Sequence, residues 1–476
     1  MKRNNRRKIL AAVLVLLGLP VNVIDPAQAQ EKLAAYNAAI GESSISGISS
    51  GAFMAVQFAT AWSSVITGVG VVAGGPYWCA KADFFSFGTS LLNALGPCLS
   101  GPLDVNDFIA KADAKAASGA IDPLRFVSRQ KVYIFHGYND AVVKPAATDA
   151  AAAFYRHYLG QDNRGNLYYQ TAVGAGHSLV VAQDSPSAGL NMCNENKTPF
   201  IDACGHDQAG IILQHIYGPL NKPGPGPLTG TMKPFDQSIY TKPDGPIWLS
   251  LAQTGYVFVP AACENGEACR VHIALHGCEQ DADDIKIGRT FIDRAGYNAW
   301  ADANRLIVLY PQTVASWYPW YPWYPVNPKA CWDWWGYVSF SDSYVTKSGL
   351  QIKALKAMLD ALTSGATPAE PPTPPSAPIA LTVIDTSDIA ADLAWTPQAG
   401  ATGYRVWRAG SDGQFTAIAD VAASGFADSG LAPTSAYRWR ITALTNGLEG
   451  SPSNEAEAVT RPAAACPKPG ECRWGN

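Results

Sequence analysis

Short, continuous apolar runs are the feature that most constrains the fold of this chain. Between residues 38 and 362 they alternate with turns and helical segments, and the clearest runs are residues 131–135, 271–275 and 306–310. Apolar runs of this length are typical of strands that are buried on both faces of a sheet. Such strands form mostly parallel sheets covered by helices, so the sequence predicts an α/β domain. An apolar stripe on residues 352–362 predicts one of the covering helices.

Two proline-rich segments divide the 476-residue chain. Residues 217–233 contain four prolines and four glycines, which exclude a helix or a central strand and predict a connector. Residues 366–378 are predicted to be a stiff, extended linker between domains. The expected organisation is an α/β domain of residues 30–365, a second domain of residues 379–461 and a tail of residues 462–476.

The second domain has the strand-like alternation of an antiparallel β-sandwich. The residues around Trp395 and Tyr404 predict two strands that carry core aromatic side chains. Tyr437 follows the Leu-Ala-Pro turn at residues 431–433 and begins another strand, as in a tyrosine corner. This all-β segment resembles a fibronectin type III domain, and we expect its aromatic residues to be core residues only.

The first 29 residues have the layout of a secretory signal peptide. Five basic residues precede a short apolar run at residues 9–19, and Ala27-Gln28-Ala29 provides a small-residue cleavage site. We therefore expect a secreted protein that no other segment anchors in a membrane. Removing these residues takes away five basic residues and one acid, which changes the formal charge from −4 to −8. This charge argues against a nucleic-acid partner, and we expect a monomer.

All ten cysteines lie after the cleavage site, and an even number in an exported chain predicts five disulfide bonds. Spacing alone leaves the connectivity open. Sequence neighbours suggest the pairs Cys79 with Cys98, Cys193 with Cys204, Cys263 with Cys269, Cys278 with Cys331, and Cys466 with Cys472. A metal site is the competing interpretation. The chain has no CxxC pair and no clustered histidines, so we expect neither a metal nor another cofactor.

The segment Gly47-Ile48-Ser49-Ser50-Gly51 matches the nucleophile motif G-x-S-x-G. Its glycines allow a strand to turn sharply into a helix, which leaves the serine hydroxyl exposed at the edge of a sheet. Strand-like residues precede the motif and a helical composition follows it. We therefore predict Ser49 as a nucleophile, the alternative being a tight turn around a buried serine.

A nucleophilic serine needs a base, and the base must be held by an acid. His177 lies in a flexible Gly-Ala-Gly-His loop and is the predicted base, with His206 as the alternative. Asp140 follows the strand at residues 131–135 and is the predicted acid. Many loop aspartates cap helices instead, which is the alternative for Asp140. The chain order Ser, Asp, His is that of α/β-hydrolases.

The oxyanion donors are out of the usual order for that fold. One should be the backbone N–H of Ser50, the residue after the nucleophile. The second normally comes from a strand-end loop upstream of the serine, and no such segment precedes Ser49. Instead, His276-Gly277-Cys278 ends a later strand. We therefore predict a circularly permuted α/β-hydrolase, in which residues 248–362 supply the opening strands and residues 217–233 join the original ends.

Five motifs occur in this permuted order: GISSG at 47–51, HGYND at 136–140, GAGH at 174–177, HGCEQ at 276–280 and CWDWW at 331–335. With them, residues 38–362 resemble the circularly permuted, fungal-type catalytic domain of poly(3-hydroxybutyrate) depolymerases, which are related to feruloyl and acetylxylan esterases. The resemblance implies a serine esterase with the roles given above for Ser49, Asp140 and His177, and with oxyanion amides from Ser50 and Cys278. It also supports a disulfide bond between Cys278 and Cys331.

Aromatic residues cluster in two neighbouring segments. Residues 317–325 have a proline at every third position, which keeps the segment extended, so its aromatic side chains cannot all be core. We expect this segment to bind a hydrophobic polyester surface through Trp317, Trp320 and Trp323, the alternative being a loop packed on its own domain. The second group is expected to line the acyl cleft, because Cys331 would tie it beside Cys278; its members are Trp332, Trp334 and Trp335.

The expected function is extracellular hydrolysis of poly(3-hydroxybutyrate) through an acyl-enzyme, with release of hydroxybutyrate oligomers or monomers. A feruloyl or acetylxylan esterase acting on plant cell walls is the enzyme alternative, because an aromatic strip also fits sugar faces. A surface-adhesion protein is the non-enzyme alternative. It predicts that a fluorophosphonate does not label Ser49.

Overall fold

The computed structural model describes residues 31–82, 87–187, 189–316, 326–366, 377–445 and 448–463. The chain forms two compact units, residues 1–367 and residues 368–476. Four features of the sequence analysis lie outside the described residues: the predicted signal peptide, the aromatic segment 317–325, most of the linker 366–378, and the pair Cys466 and Cys472.

An eight-stranded sheet forms the centre of the first unit. The strand order is β4-β3-β2-β1-β10-β11-β9-β8. The first six strands are parallel, β9 pairs antiparallel with β11, and β8 pairs antiparallel with β9 at the edge. These strands are β1 (Ser43–Ile48), β2 (Ile66–Val72), β3 (Lys131–Phe135), β4 (Leu167–Gln170), β8 (Thr231–Asp236), β9 (Thr254–Val259), β10 (Arg270–Leu275) and β11 (Leu306–Tyr310). A small separate sheet contains β5 (Leu179–Val181), β6 (Asn191–Met192) and β7 (Ile201–Ala203).

Helices cover both faces of the large sheet. In the described part of this unit they are α1 (Ser50–Ala61), α2 (Phe87–Leu95), α3 (Pro97–Ser100), α4 (Val105–Ala117), α5 (Pro145–Leu159), α6 (Gln208–Tyr217), α7 (Ala261–Glu264), α8 (Thr290–Arg294), α9 (Tyr297–Ala303) and α10 (Leu350–Thr363). Helices α1, α4, α5 and α10 share one apolar core with alternate strand residues, and α6, α8 and α9 share a second core with the others. Burial on both faces explains why β3, β10 and β11 are continuous apolar runs. The predicted α/β fold is confirmed.

The nucleophile strand β1 lies between β2 and β10, and Gly47 pairs with Leu275 in parallel register. Residues 271–275 therefore lie beside β1, as the predicted permuted order requires. A buried polar network spans this pair of strands: His272 lies 2.7 Å from Ser44 Oγ through Nδ1 and 2.8 Å from Ser46 Oγ through Nε2. Burial lowers the pKa of His272 to about 3, so the network is held by a neutral imidazole.

Four disulfide bonds link cysteines of the first unit. They join Cys79 to Cys98, Cys193 to Cys204, Cys263 to Cys269, and Cys278 to Cys331. These are the pairings that the sequence neighbours suggested. None of the helices in the described ranges is long and apolar enough to cross a membrane.

The second unit is an antiparallel sandwich of two sheets. One sheet has the order β12-β13-β16; in the other, β15-β14-β17-β18 is joined by β19, which pairs with β17. The strands are β12 (Ile379–Thr386), β13 (Ala390–Thr396), β14 (Gly403–Ala409), β15 (Phe415–Val421), β16 (Gly425–Ser429), β17 (Ala436–Thr445), β18 (Leu448–Pro452) and β19 (Ala456–Val459). Trp395, Tyr404 and Trp439 are buried between the sheets, and the Tyr437 hydroxyl accepts from the Ala432 N–H at 3.0 Å. The tyrosine corner and the fibronectin type III fold are confirmed.

Candidate active site

Ser49 occupies the sharp turn between β1 and α1. Its backbone angles are φ 55° and ψ −122°, a strained conformation for a residue with a side chain, and its N–H donates to Val72 O at 2.9 Å. Gly51 lets α1 begin against the end of β10, because a Cβ at Gly51 would lie only 2.3 Å from His276 O. Ser49 is partly exposed although the strand before it is buried. The turn therefore presents its hydroxyl, as a nucleophile elbow does.

The structure brings together Asp140 and His177, which follow the neighbouring parallel strands β3 and β4. His177 Nδ1 lies 2.9 Å from Asp140 Oδ2, and both side chains are almost completely buried. The other carboxylate oxygen, Oδ1, accepts from the N–H groups of Val142 and Val143 at 2.8 and 2.9 Å. Three hydrogen bonds thus fix the carboxylate, and the carboxylate fixes the tautomer of His177 with Nε2 free to accept a proton.

The alternative base is placed elsewhere. The His206 ring lies 6.1 Å from the Phe135 ring, and burial lowers the pKa of His206. Two other histidines, His157 and His215, lie in the helices α5 and α6, and Asp162, another aspartate between β3 and β4, is exposed. His177 is the histidine that contacts the predicted acid.

A continuous set of contacts connects Ser49 with His177 across the carboxyl edge of the sheet. A Cβ at Gly277 would lie 3.2 Å from Ser49 Cβ, and the Gly277 N–H donates to Gln280 Oε1 at 2.6 Å. Gln280 Nε2 donates to Phe200 O at 3.3 Å, and the Phe200 ring packs edge-on against His177. No hydrogen bond joins the Ser49 hydroxyl to His177 in the described ranges; such contacts often tighten only when substrate binds.

The predicted oxyanion donors come from two converging elements. The Ser50 N–H is at the N-terminus of α1, where helix N–H groups have no partner within the helix. Cys278 follows β10, next to the Gly277 backbone that abuts Ser49. The disulfide bond to Cys331 anchors Cys278, with a Cα–Cα distance of 4.2 Å. The arrangement can therefore direct two backbone donors toward one side of Ser49.

No protein-family model matches this chain. The chain is 35% identical to the poly(3-hydroxybutyrate) depolymerase of Delftia acidovorans over 425 residues, which cover 87% of this chain and 78% of the relative. It is 34% identical to the polyhydroxybutyrate depolymerase of Talaromyces funiculosus, over 70% of this chain and 93% of the relative. The chain belongs to the poly(3-hydroxybutyrate) depolymerase family.

The structure of another depolymerase superimposes on this one. A PHB depolymerase with one serine replaced by alanine, complexed with an R3HB trimer, matches 71% of this chain and 100% of its own with a TM-score of 0.61 and 31% identity. The likeness covers the full length of that depolymerase. It supports the hydrolase fold described above for this family member.

The second aromatic group of this chain is more buried than the sequence suggested; its members are Trp332, Trp334 and Trp335. Trp332 is 0% exposed, and its backbone N–H donates to Ser50 Oγ at 3.3 Å, so it forms the wall behind the nucleophile instead of lining an open cleft. Trp334 stacks on Phe53 with ring centroids 4.4 Å apart, and Trp334 and Trp335 keep 5% and 7% of their surfaces exposed. The prediction for Trp332 is corrected accordingly. Trp317, Trp320 and Trp323 lie outside the described residues.

A buried carboxylate supports this wall. Asp333 accepts from the Tyr337 N–H at 2.9 Å, and its own N–H donates to Gln351 Oε1 at 2.8 Å. Burial raises the pKa of Asp333 to about 7 although backbone N–H groups favour its ionised form. Asp333 thus fixes the turn that carries Trp334 and Trp335.

Sequence reasoning missed two polar residues of the depolymerase site. Gln280 is the last residue of the HGCEQ motif, and its side chain links Gly277 to Pro199. Asn196 lies in a polar loop with no motif, yet it bonds the backbone of His177. Asn196 has no signal in a single sequence, and the HGCEQ motif does not show what Gln280 does, because each side chain acts on backbone groups of distant loops. No group of three or more metal-binding side chains occurs among the described residues.

Proposed function

We propose that this protein is a secreted serine esterase that hydrolyses the ester bonds of poly(3-hydroxybutyrate). The observation that carries the proposal is the 2.9 Å bond between His177 and Asp140, at the same sheet edge as the strained turn of Ser49. Two curated relatives are named as depolymerases of this polymer, and one matching structure holds an R3HB trimer. Hydrolysis of ester bonds by a member of that family accounts for all of these features.

In the acylation step, Ser49 Oγ attacks the ester carbonyl while His177 Nε2 takes the hydroxyl proton. The carbonyl oxygen becomes an oxyanion, which the N–H groups of Ser50 and Cys278 stabilise. When the tetrahedral intermediate collapses, the ester C–O bond breaks and His177 returns its proton to the leaving alkoxide. One product leaves with a free hydroxyl end, and the other remains as an ester of Ser49.

In the deacylation step, water attacks the Ser49 ester and gives a proton to His177. A second tetrahedral intermediate uses the same two N–H donors. Its collapse breaks the bond to Ser49 Oγ, which recovers the proton from His177, and the product leaves with a free carboxyl end. The Asp140 carboxylate holds Nδ1 of His177 and stabilises the imidazolium that forms in each half of the cycle.

Export and polymer contact complete the proposal. Residues 1–29 would be removed during secretion, and four disulfide bonds suit an oxidising environment. The mature chain would comprise a catalytic domain to residue 365, a linker and a fibronectin type III domain, and would act as a monomer. Trp334 and Trp335 would contact the acyl chain, while Trp317, Trp320 and Trp323 would contact the polymer surface.

The test is hydrolysis of a poly(3-hydroxybutyrate) granule suspension by the wild type and by Ser49→Ala, with methyl ferulate as a competing substrate. We expect the wild type to clear the granules and to react with a fluorophosphonate. Ser49→Ala should be folded, unlabelled and slower by several orders of magnitude. Clearing by a folded Ser49→Ala protein would refute Ser49 as the nucleophile. Preference for methyl ferulate would refute poly(3-hydroxybutyrate) as the substrate.

A further inference from the structure

A disulfide bond between Cys193 and Cys204 closes a short segment that lies against the loops of the proposed triad. The backbone of this segment contacts the histidine loop directly, since the Gly176 N–H donates to Cys193 O at 2.9 Å. From the same segment, the Phe200 ring packs edge-on against His177 with ring centroids 5.7 Å apart. The segment is therefore part of the immediate surroundings of the proposed base.

Asn196, within this segment, joins the acid loop to the base loop through one side chain. Its Oδ1 accepts from the backbone N–H of His177 and from that of Ala141, each at 2.8 Å. Its Nδ2 donates to the carbonyl oxygen of Asn139 at 3.1 Å. The amide thus holds the chain on both sides of Asp140 and also holds the backbone of His177.

The two loops also contact each other directly, but at positions further from the reacting groups. The Asn139 N–H donates to Ala175 O at 3.1 Å, and Asn139 Nδ2 donates to Gly174 O at 2.8 Å. Both contacts join residues that precede Asp140 and His177, so they fix the distance between the two loops but do not hold His177 itself. Asn196 instead fixes the residue that carries the imidazole.

We infer that Asn196 is a positioning residue for the acid–base pair, which keeps His177 at hydrogen-bonding distance from Asp140. The inference rests on the proposed function, because it requires His177 to be the base. The 2.9 Å bond between the pair joins loops from different strands, and it must persist through the four proton transfers of the cycle. Misplacing a catalytic group by about 1 Å costs up to ~100-fold in rate, so a bond network that prevents such a shift has a measurable effect.

The same segment also reaches the proposed oxyanion loop. Gln280 Nε2 donates to Pro199 O at 2.6 Å, while Gln280 Oε1 accepts from the Gly277 N–H at 2.6 Å. Gln280 is buried, so this tie is shielded from water. The disulfide-closed segment therefore links the base loop to the loop that bears Cys278, and Asn196 is its contact on the acid–base side.

The test compares Asn196→Ala, Asn196→Asp and Asn194→Ala in the full chain with a soluble ester, p-nitrophenyl butyrate. Asn196→Ala removes the hydrogen bonds to His177, Ala141 and Asn139 and should lower kcat by about 30- to 100-fold while KM stays within about twofold. Asn196→Asp keeps the oxygen that accepts from His177 and Ala141, so its kcat should fall by only about 3- to 10-fold. Asn194 is exposed on the same segment, and Asn194→Ala should match the wild type.

A double-mutant cycle with His177→Ala separates positioning from a general loss of stability. If Asn196 acts through His177, adding Asn196→Ala to His177→Ala leaves the residual rate unchanged. Additive losses, or wild-type kcat in either folded Asn196 variant, would overturn the inference. If Asn196→Ala does not fold, Asn196→Asp decides by the same criterion of a lowered kcat at unchanged KM. An active His177→Ala variant would overturn the proposed function as well as this inference. An inactive His177→Ala variant together with a fully active Asn196→Ala variant would overturn this inference alone.

Discussion

His276 Nδ1 lies 2.6 Å from the carbonyl oxygen of Gly277, the residue that precedes Cys278. On the other side of the ring, Nε2 accepts from the Thr313 N–H at 3.2 Å, so the single proton of the neutral ring is on Nδ1 and is donated to Gly277. Burial lowers the pKa of His276 to about 4, which keeps the ring neutral at neutral pH. The C=O and N–H of one trans peptide point in opposite directions, so holding Gly277 O fixes the direction of the Cys278 N–H.

We therefore expect His276→Phe to lower kcat toward a soluble short-chain ester by about 10- to 100-fold. This decrease is at most the one expected from removing one oxyanion donor. Phenylalanine suits the site, since Phe291 and Trp332 already contact the His276 ring. The control is His157→Phe on the exposed side of α5, which should retain wild-type kcat. Equal kcat in the two folded variants would show that His276 does not orient the oxyanion donor.

The features that could be predicted from the sequence are local residue patterns and the order in which known motifs occur. Buried apolar runs predicted β3, β10 and β11, and the G-x-S-x-G turn predicted the conformation of Ser49. The order of motifs predicted that β10 pairs with β1 in spite of their separation in sequence. These features depend on residues whose neighbours in sequence reveal their role.

The features that could not be predicted depend on side chains that bond the backbone of distant loops. Asn196 is an ordinary loop residue in sequence and Gln280 is the last residue of HGCEQ, and only the folded chain shows that they contact His177 and Gly277. The burial of Trp332 was missed for a related reason. A tryptophan near a predicted cleft can line it or support it, and the choice depends on how Ser50 and His276 pack around it.

The second prediction concerns the Cys278 amide itself. Cys278→Pro removes the N–H and should raise the activation barrier by about 3 kcal/mol, whereas Cys278→Ala keeps the N–H and loses the bond to Cys331. That bond closes a loop with a sequence separation of 53, so its loss should cost about 4 kcal/mol of stability in the chain-entropy estimate. Activity assays and urea unfolding of both variants separate the two effects. A folded Cys278→Pro enzyme with the kcat of Cys278→Ala would exclude this oxyanion donor.

The third prediction concerns the aromatic segment 317–325. Replacing Trp317, Trp320 and Trp323 with Ala should weaken adsorption to polymer film and leave turnover of a soluble ester unchanged, because surface binding and chemistry would use different residues. The measurements are a depletion assay on film and kcat/KM for p-nitrophenyl butyrate. If both fell by the same factor, the segment would belong to the core or to the cleft.

The last prediction concerns Asp202 in β7, behind the histidine loop. This side chain is fully buried, and burial raises the pKa of Asp202 to about 7, although Ser178, Asn191 and the Gly176 N–H partly favour the ionised form. The folded chain therefore holds this proton up to about pH 7, while the unfolded chain loses it near pH 4. Because the native state binds more protons in this window, the contribution of Asp202 to stability is largest below about pH 4 and is lost as the pH rises to about 7.

Asp202→Asn carries no titrating proton and removes this pH dependence. The difference in free energy of unfolding, Asp202→Asn minus wild type, should therefore become more favourable to the variant by about 2 kcal/mol between pH 5 and pH 8. Urea unfolding at the two pH values measures it, and any fixed effect of the amide cancels because it is the same at both. Asp162→Asn, at an exposed position, should show no such change. A pH-independent difference for Asp202→Asn would mean that Asp202 is already ionised in the folded protein at pH 5, with its charge compensated by the groups around Gly176.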